Sequence, residues 1–529
     1  MSTDPSQFIP PFRATPASDR EEALAMLRDG KATVAWRVEP ADLLTPVAAF
    51  LHLSPLASRH GGGRGGRNAF LFESVEGGVS RGRYSVIGLL PDLIWRCHDG
   101  QASLCMDPAA TRHEFHADDR PPLESLRDVL HASRIGLADH LPPMTGGVFG
   151  YLGYDMIRQM EYLPDIPPDD LDLPEGLMIR PGLFAIFDTV RDELLLAVPL
   201  RPDLDTPADE IWDKGQALLH QARTALATPL PTPPQETGAI TPPIPTSPFT
   251  REEFCTVVRR IQDYIAAGDA FQVVPSQRFE ADFTLPPFAL YRALRRINPA
   301  PFLFFLDLDG FSLVGSSPEI LVRLRDNTMT VRPLAGTRPR GRTAAEDMAL
   351  EQDLLADPKE RAEHLMLIDL GRNDVGKACA LGSVKVTEQF VIERFSHVMH
   401  ISSNVEGTIR PGLEALDALM AGFPAGTLTG APKIRAMEII DEVEPTRRAT
   451  YAGCIGYFGP EGQMDTCIGL RMAVVKDAKM YVQAGCGVVA DSIPEAEYEE
   501  TRQKARALFR AAEEAVRFAS REQPEKAGE

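Results

Sequence analysis

Two helix starts with the same pattern, far apart in the chain, set the terms for the fold. In the first, Asp357 suits an N-cap, Pro358 the first helical position and Glu360 the third, a capping-box start. The second repeats it with Ser492, Pro494 and Glu495. Each helix carries two glutamates three residues apart, Glu360 with Glu363 and Glu497 with Glu500, so each pair shares one helix face. The first helix is predicted over Asp357–Leu370 and is apolar almost all round (Ala362, Leu365, Met366, Leu367, Ile368, Leu370), which predicts burial. Ala505, Leu508 and Phe509 predict packing for the second. A Glu-x-x-Glu on a helix usually makes a solvated face. Two such pairs on buried helices could instead hold a hard divalent cation, since Mg²⁺ takes one or two carboxylates plus water and substrate oxygens.

What those helices pack on is predicted by the intervening stretches. Residues 302–306, 311–314, 320–324 and 328–331 alternate with turns, and 451–458, 466–475 and 481–489 form an antiparallel meander. Residues 271–278 and 389–400 also read as strands, and 333–341 as a loop. Upstream lie strands at 32–38, 70–74 and 82–88 and a hairpin of 183–187 with 193–198; 250–267 is an amphipathic helix. The class is α+β, with antiparallel sheets packed with helices in two intergrown lobes. A chain of 529 residues exceeds one ordinary core. The expected division is an N-terminal lobe (1–225), a Pro-rich linker (226–249), a second domain (250–520) and a polar tail (521–529). The glycine-rich stretch at 58–67 lacks the Lys-Ser/Thr and the following helix of a phosphate loop, and reads as a surface insertion.

Composition narrows the function classes. A net charge of −20 disfavours a nucleic-acid partner. No apolar run is long enough to span a bilayer, and the first residues lack a signal pattern, so a cytoplasmic location is expected. The seven cysteines are scattered without a Cys-x-x-Cys, which predicts neither a disulfide framework nor a zinc cluster.

Several residues stand out chemically. Arg471 lies in an apolar stretch, and if it faces the core it needs an anionic partner; otherwise it is an exposed arginine. Gly485-Cys486-Gly487 ends a strand and reads either as a backbone approach to an anion or as a bulge. The loop at 423–430 feeds a helix and could contact an anion or a hydroxyl. His397 and His400 have the spacing of a metal pair, but three residues apart on a strand they point to opposite faces; an inward-facing one is a candidate acid or base.

These residues carry a resemblance. GSSPEILV at 315–322, PLAGTRPRG at 333–341, ERAEHLMLIDLGRND at 360–374, AGCGVVADS at 484–492 and EYEET at 497–501 resemble the chorismate-utilising enzymes. LFES at 71–74, GRYS at 82–85 and TGGVFGY at 145–151 extend the likeness to the component I chains of anthranilate synthases. The resemblance implies Mg²⁺ on Glu363 and Glu500, with Glu360 and Glu497 as outer partners through water. It implies that Arg471, Gly485, Gly487 and Tyr451 hold the pyruvyl side of chorismate, with Cys486 in the same strip, helped by Gly336, Thr337, Thr427 and Lys504. Glu319 is implied as the acid that protonates the departing C4 hydroxyl, and His400 as the base at C2.

Two positions discriminate within the family. Its water-adding members carry a Lys where Gln272 stands, and its 4-amino-4-deoxychorismate enzymes commonly carry a Lys where Ala335 stands. Gln272 with Ala335 therefore implies amination at C2 and then pyruvate loss, the route to anthranilate. The 4-amino-4-deoxychorismate enzymes are the runner-up, and a catalytically inactive sensor on the same fold is a competing class. The resemblance also implies a tryptophan site at Ser74 and Pro301-Phe302-Leu303, where the commoner segment is Pro-Tyr-Met. The chain shows no nucleophile-elbow cysteine with later His and Glu, so ammonia is expected from a separate glutamine amidotransferase subunit in a hetero-oligomer.

Overall fold

The long strands Ser80–His98 and Gly176–Asp188 pair antiparallel along most of their length and belong to two sheets at once. Their register slips between Pro91 and Leu93, where Leu90 adopts φ 51°. Gly182 faces this kink: a Cβ there would lie 2.5 Å from the Leu90 carbonyl oxygen, so only glycine allows the bend. This computed structural model describes residues 17–58, 68–76, 80–108, 114–230, 242–395 and 398–521. The glycine-rich insertion, the middle of the Pro-rich segment, His397 and the end of the tail lie outside the described residues.

From this shared strand pair the first sheet runs one way through Glu193–Leu200 to Thr33–Pro40. The other way it runs through Ala69–Glu76, Phe302–Leu308, Phe311–Ser317, Met472–Lys476 and Lys479–Gly485 to Ser276–Asp282. The second sheet passes from the other half of the pair through Val148–Leu152, Cys454–Phe458, Met464–Ile468, Ile320–Arg325 and Thr328–Val331 to Val398–Thr408. Every pairing is antiparallel, and strands from either side of the 226–249 segment are neighbours in both sheets. This is the α+β architecture expected, with the two halves of the chain intergrown.

Strand alternation places the cores. Phe184, Ile186, Phe304 and Leu306 face a layer between the sheets, while Leu183, Ala185, Leu303 and Phe305 face helices on the outer side of the first sheet. That outer layer includes Pro46–Ser58, Ala208–Leu226, Pro287–Ile297 and Pro494–Arg521. Helices Pro122–Ala132, Pro358–Ala378 and Ala415–Gly422 cover the second sheet. Each fully buried large side chain contributes roughly 1.5–3 kcal/mol, and Phe149, Phe184 and Phe304 lie among them.

The structure departs from the sequence reading where an apolar run hides a break. Residues 271–278 are two strands, Gln272–Val273 and Ser276–Asp282, in different sheets. Residues 466–475 likewise divide between Met464–Ile468 and Met472–Lys476. The stretch 389–400 belongs to two paired strands, Lys385–Arg394 and Val398–Thr408. The expected loop at 333–341 contains a strand, Leu334–Pro339, with a bulge between Ala335 and Arg338 where Gly336 takes φ 64°. The central helix does not stop at Leu370 but runs Pro358–Ala378; Gly371 is buried within it, facing Val331 and Val405, and that packing outweighs the ~1 kcal/mol cost of a helical glycine. Nor is the helix buried all round, since Leu365 is 49% exposed. Neither expected capping box closes. Asp357 accepts from the Lys359 and Glu360 N–H groups, but the Glu360 carboxylate turns to Arg338; Ser492 accepts from the Val489 N–H.

Candidate active site

Two neighbouring segments cross between the sheets side by side. One leaves the first sheet at Ser317 and enters the second at Ile320, with Glu319 at the crossing. Its antiparallel neighbour leaves the second sheet at Ile468 and enters the first at Met472, with Arg471 at the crossing. Arg471 is thus not within a strand as the sequence suggested; it sits at φ 48° in the turn between two. Backbone bonds stitch the crossings together: Ile468 N–H to Glu319 O at 3.0 Å and Ser316 N–H to Arg471 O at 3.1 Å.

Both crossing side chains are electrostatically unusual. Glu319 is buried, and burial pushes its carboxyl up to about 8, although the Leu334 N–H at 3.4 Å and the Thr427 hydroxyl at 3.2 Å both donate to it and favour the carboxylate. It is therefore largely protonated at neutral pH, as a general acid must be. Arg471 is partly buried, burial lowers its pKa, and no carboxylate among the described residues pairs with it. Removing a cation from water without a partner is costly, so this guanidinium is an open receptor for an anion.

Facing them is a group of carboxylates. Glu363 is pushed up by burial first, then by Glu360 and, more weakly, by Glu500. Gln272 Nε2 donates to Glu363 Oε1 at 3.4 Å, while the buried Gln272 Oε1 has no partner. Arg338 braces Glu360 at 3.3 Å and also holds Asp353 and Asp357. Lys504 pairs with Glu500 at 2.7 Å on an open flank. Burial also raises Glu497, whose carboxylate accepts from Ser492 and the Cys486 thiol. Among the described residues no three His, Cys, Asp or Glu side chains form a ready-made metal site.

His400 completes the set. Its Nδ1 lies 2.8 Å from Gly336 O and 3.2 Å from Thr337 Oγ1. A carbonyl only accepts, so Nδ1 carries the proton and Nε2 presents a lone pair. Burial first, then the Arg471 charge, holds the ring down at about 4, so it is neutral at pH 7. The glycine strip lies opposite. A Cβ at Gly487 would lie 2.5 Å from Gln272 Nε2, and one at Gly485 2.7 Å from Pro275 O and 3.0 Å from the Tyr451 hydroxyl. Lys504 Nζ donates to Gly485 O at 2.9 Å. The Cys486 N–H already bonds Pro275 O at 3.1 Å, which removes one donor from the anion cradle considered for this strip. Ala335 is buried and in register with Ile401.

Ser74 and Phe302 lie elsewhere, as register partners on neighbouring strands of the first sheet; Pro301 is partly buried and Leu303 buried. The buried Ser316 hydroxyl bonds Asn298 O at 2.5 Å, and its N–H bonds Arg471 O, so one residue touches both regions. Sequence reasoning gave no role to Arg338, nor to Arg448 and Glu444. Their only signal is charge close to quoted motifs, which an exposed arginine or glutamate would share.

A protonated buried carboxyl, a guanidinium unpaired among the described residues, a neutral histidine within reach of its charge and a group of glutamates suit an anionic substrate that loses a hydroxyl. The family model described as chorismate binding enzyme matches residues 91–510, and the chain belongs to that family. Its curated relatives place it in one branch. It is 51% identical over 492 residues, covering 93% of this chain and 97% of the relative, to the anthranilate synthase component 1 of Cereibacter sphaeroides. It is 46% identical to that of Pseudomonas aeruginosa over 93% of this chain and 98% of the relative. The solved anthranilate synthase component I of Streptococcus pneumoniae superposes with a TM-score of 0.70 at 36% identity, over 81% of this chain and 92% of that one. The menaquinone-specific isochorismate synthase of Escherichia coli shares the fold, with a TM-score of 0.66 at 18% identity over 93% of this chain and 98% of that one.

Proposed function

We propose that the chain is the synthase component that converts chorismate and ammonia to anthranilate and pyruvate, opening tryptophan biosynthesis. The observation that carries this reading is the combination of a protonated, buried Glu319 with an Arg471 that has no carboxylate partner among the described residues. Arg471, with Tyr451 and Lys504 near the glycine strip, binds the pyruvyl carboxylate. Glu319 gives its proton to the C4 hydroxyl, which leaves as water while ammonia adds at C2. Gln272 cannot deprotonate water, and ammonia needs no such base. His400 Nε2 then takes the C2 proton as pyruvate departs and the ring becomes aromatic. Ala335 leaves no amine to attack first.

The carboxylate cluster fits Mg²⁺. Glu363 is raised first by burial and then by Glu360 and Glu500, and a hard dication would offset both while taking its remaining ligands from water and substrate. Glu363 and Glu500 would hold it, with Glu360 and Glu497 in support. When bound it supplies positive charge for the ring carboxylate.

The relatives' name, component 1, supports a second component. In this reading it is a glutamine amidotransferase that delivers ammonia within a cytoplasmic hetero-oligomer. No described helix is long and apolar enough to cross a membrane. The purified chain should form anthranilate from ammonium salts and none from glutamine; equal rates from both would contradict a separate ammonia source.

Tryptophan is the proposed inhibitor, bound beside Ser74 and Pro301-Phe302-Leu303. In support, the buried side-chain amide nitrogen of Asn298, three residues before Pro301, has no partner among the described residues. Ser74→Arg should abolish tryptophan inhibition with little change in uninhibited turnover. A variant as sensitive as its parent would place the inhibitor elsewhere.

A further inference from the structure

One buried ion pair has no place in the reaction as described. Arg448 is 3% exposed and Glu444 6%. Glu444 caps the helix Lys433–Val443, and Arg448 grips it through Nε at 2.9 Å and Nη2 at 2.6 Å. The rest of the guanidinium reaches two other parts of the chain. Nη2 donates to Val274 O at 2.6 Å and Nη1 to Leu428 O at 2.7 Å. Glu444 Oε1 in turn accepts from the Ser276 N–H at 2.7 Å and the Ser276 hydroxyl at 2.8 Å. The Tyr451 ring lies 5.6 Å from the guanidinium carbon.

The two carbonyl acceptors are placed where the chemistry is. Val274 directly follows the strand Gln272–Val273, and the Gln272 amide bonds Glu363. Leu428 follows Thr427, whose hydroxyl bonds Glu319. These two segments, far apart in sequence, pair directly, Gln272–Val273 with Gly430–Ala431 and the Val274 N–H to Thr429 O at 2.9 Å, and beside that pairing Arg448 bonds a carbonyl of each. We propose that Arg448, oriented by Glu444, is a positioning residue that braces this short pairing, so that Gln272 and Thr427 stay in place for the reaction, an inference that rests on the function proposed above. The planar fork is essential to the role. Its separate N–H groups satisfy one carboxylate and two carbonyls in one plane, whereas a lysine offers a single point charge. A buried pair that served only the fold would stabilise the protein without controlling proton transfer, and this separates the two roles.

The test compares parent, Arg448→Lys and Glu444→Gln for kcat, KM and the pH dependence of turnover per free ammonia. A misplacement of about 1 Å costs on the order of 10²-fold in rate. Arg448→Lys is therefore expected to lose about that factor in kcat with a much smaller change in KM for chorismate. Its alkaline limb should move to higher pH, because a drifting Thr427 no longer favours the Glu319 carboxylate. If Arg448→Lys is not recovered folded, Glu444→Gln keeps the shape and should show the same two changes to a smaller extent. A lowered Tm with unchanged kcat and an unmoved alkaline limb in the folded variant overturns the proposal. A parent that makes no anthranilate overturns the functional reading instead, and is seen before any variant is compared.

Discussion

Glu319→Gln is expected to fold normally and to lose roughly 10²- to 10⁴-fold in kcat, the range a positioned general acid supplies. Gln fills the same space and can still accept from Thr427 and the Leu334 N–H, so binding should change little. What it cannot do is give up a proton to the leaving hydroxyl. The pH profile makes the assignment specific. Glu319 is needed in its protonated form, and burial pushes its pKa up to about 8. Turnover per free ammonia should therefore hold level to about pH 7 and fall as pH rises through about 8. In the variant that limb should vanish. A limb that survives in Glu319→Gln would assign the acid to another group. His400, held at about 4, sets the other end: a base acts when neutral, so its loss belongs to acidic pH, far below the working range.

Glu363→Gln is the second large effect, and it has a reading apart from activity. The folded-state pKa of Glu363 is raised, chiefly by burial and then by Glu360. A carboxylate raised in this way is least costly below its unfolded pKa, and its cost grows as pH rises toward the folded value. At pH 7 without metal, replacing it by neutral Gln should leave the Tm equal or higher. If the folded cluster holds Mg²⁺ as proposed, Mg²⁺ should raise the Tm of the parent and should not raise that of the variant. Turnover should fall by more than the roughly 10- to 100-fold that loss of an outer hydrogen-bond partner costs a metal site. An Mg²⁺-dependent rise in Tm that persists in Glu363→Gln would remove this glutamate from the metal site.

Most strands and the antiparallel class were readable because they rest on local pattern, whereas the two capping boxes expected at Asp357 and Ser492 do not close. The amphipathic helix expected over 250–267 runs Arg251–Ala267, and Thr250 with Glu253 closes a capping box at its start that the sequence reading did not name. The Glu500–Lys504 pair follows from a spacing of four. What could not be read was where a strand changes sheets. From Thr466 to Val475 the apolar run hardly breaks, because both sheets bury it, so period and composition stay the same across the crossing. The break lies in the backbone, at Arg471 with φ 48°, and an arginine carries no signature for that conformation. The same holds at Val274-Pro275, where residues 271–278 divide between two sheets.

Some of the candidate residues named from motifs touch, Gln272 with Glu363 and Glu319 with Thr427, while Ser74 and Phe302 lie elsewhere, and their supports were hidden in long-range contacts. Glu319 meets Thr427 across more than a hundred residues of chain, and Arg448 reaches Val274 across still more. Charge alone could not separate Arg448 from its exposed neighbours. Its burial and its three acceptors could.

The central claim is that this cleft aminates chorismate and releases pyruvate. The most direct measurement is to incubate the purified chain with chorismate, ammonium chloride at alkaline pH and Mg²⁺, following anthranilate fluorescence and pyruvate together, with and without EDTA. The account predicts anthranilate and pyruvate in equal amounts, abolished by EDTA and restored by added Mg²⁺. Chorismate consumed without anthranilate, or not consumed at all, would contradict it.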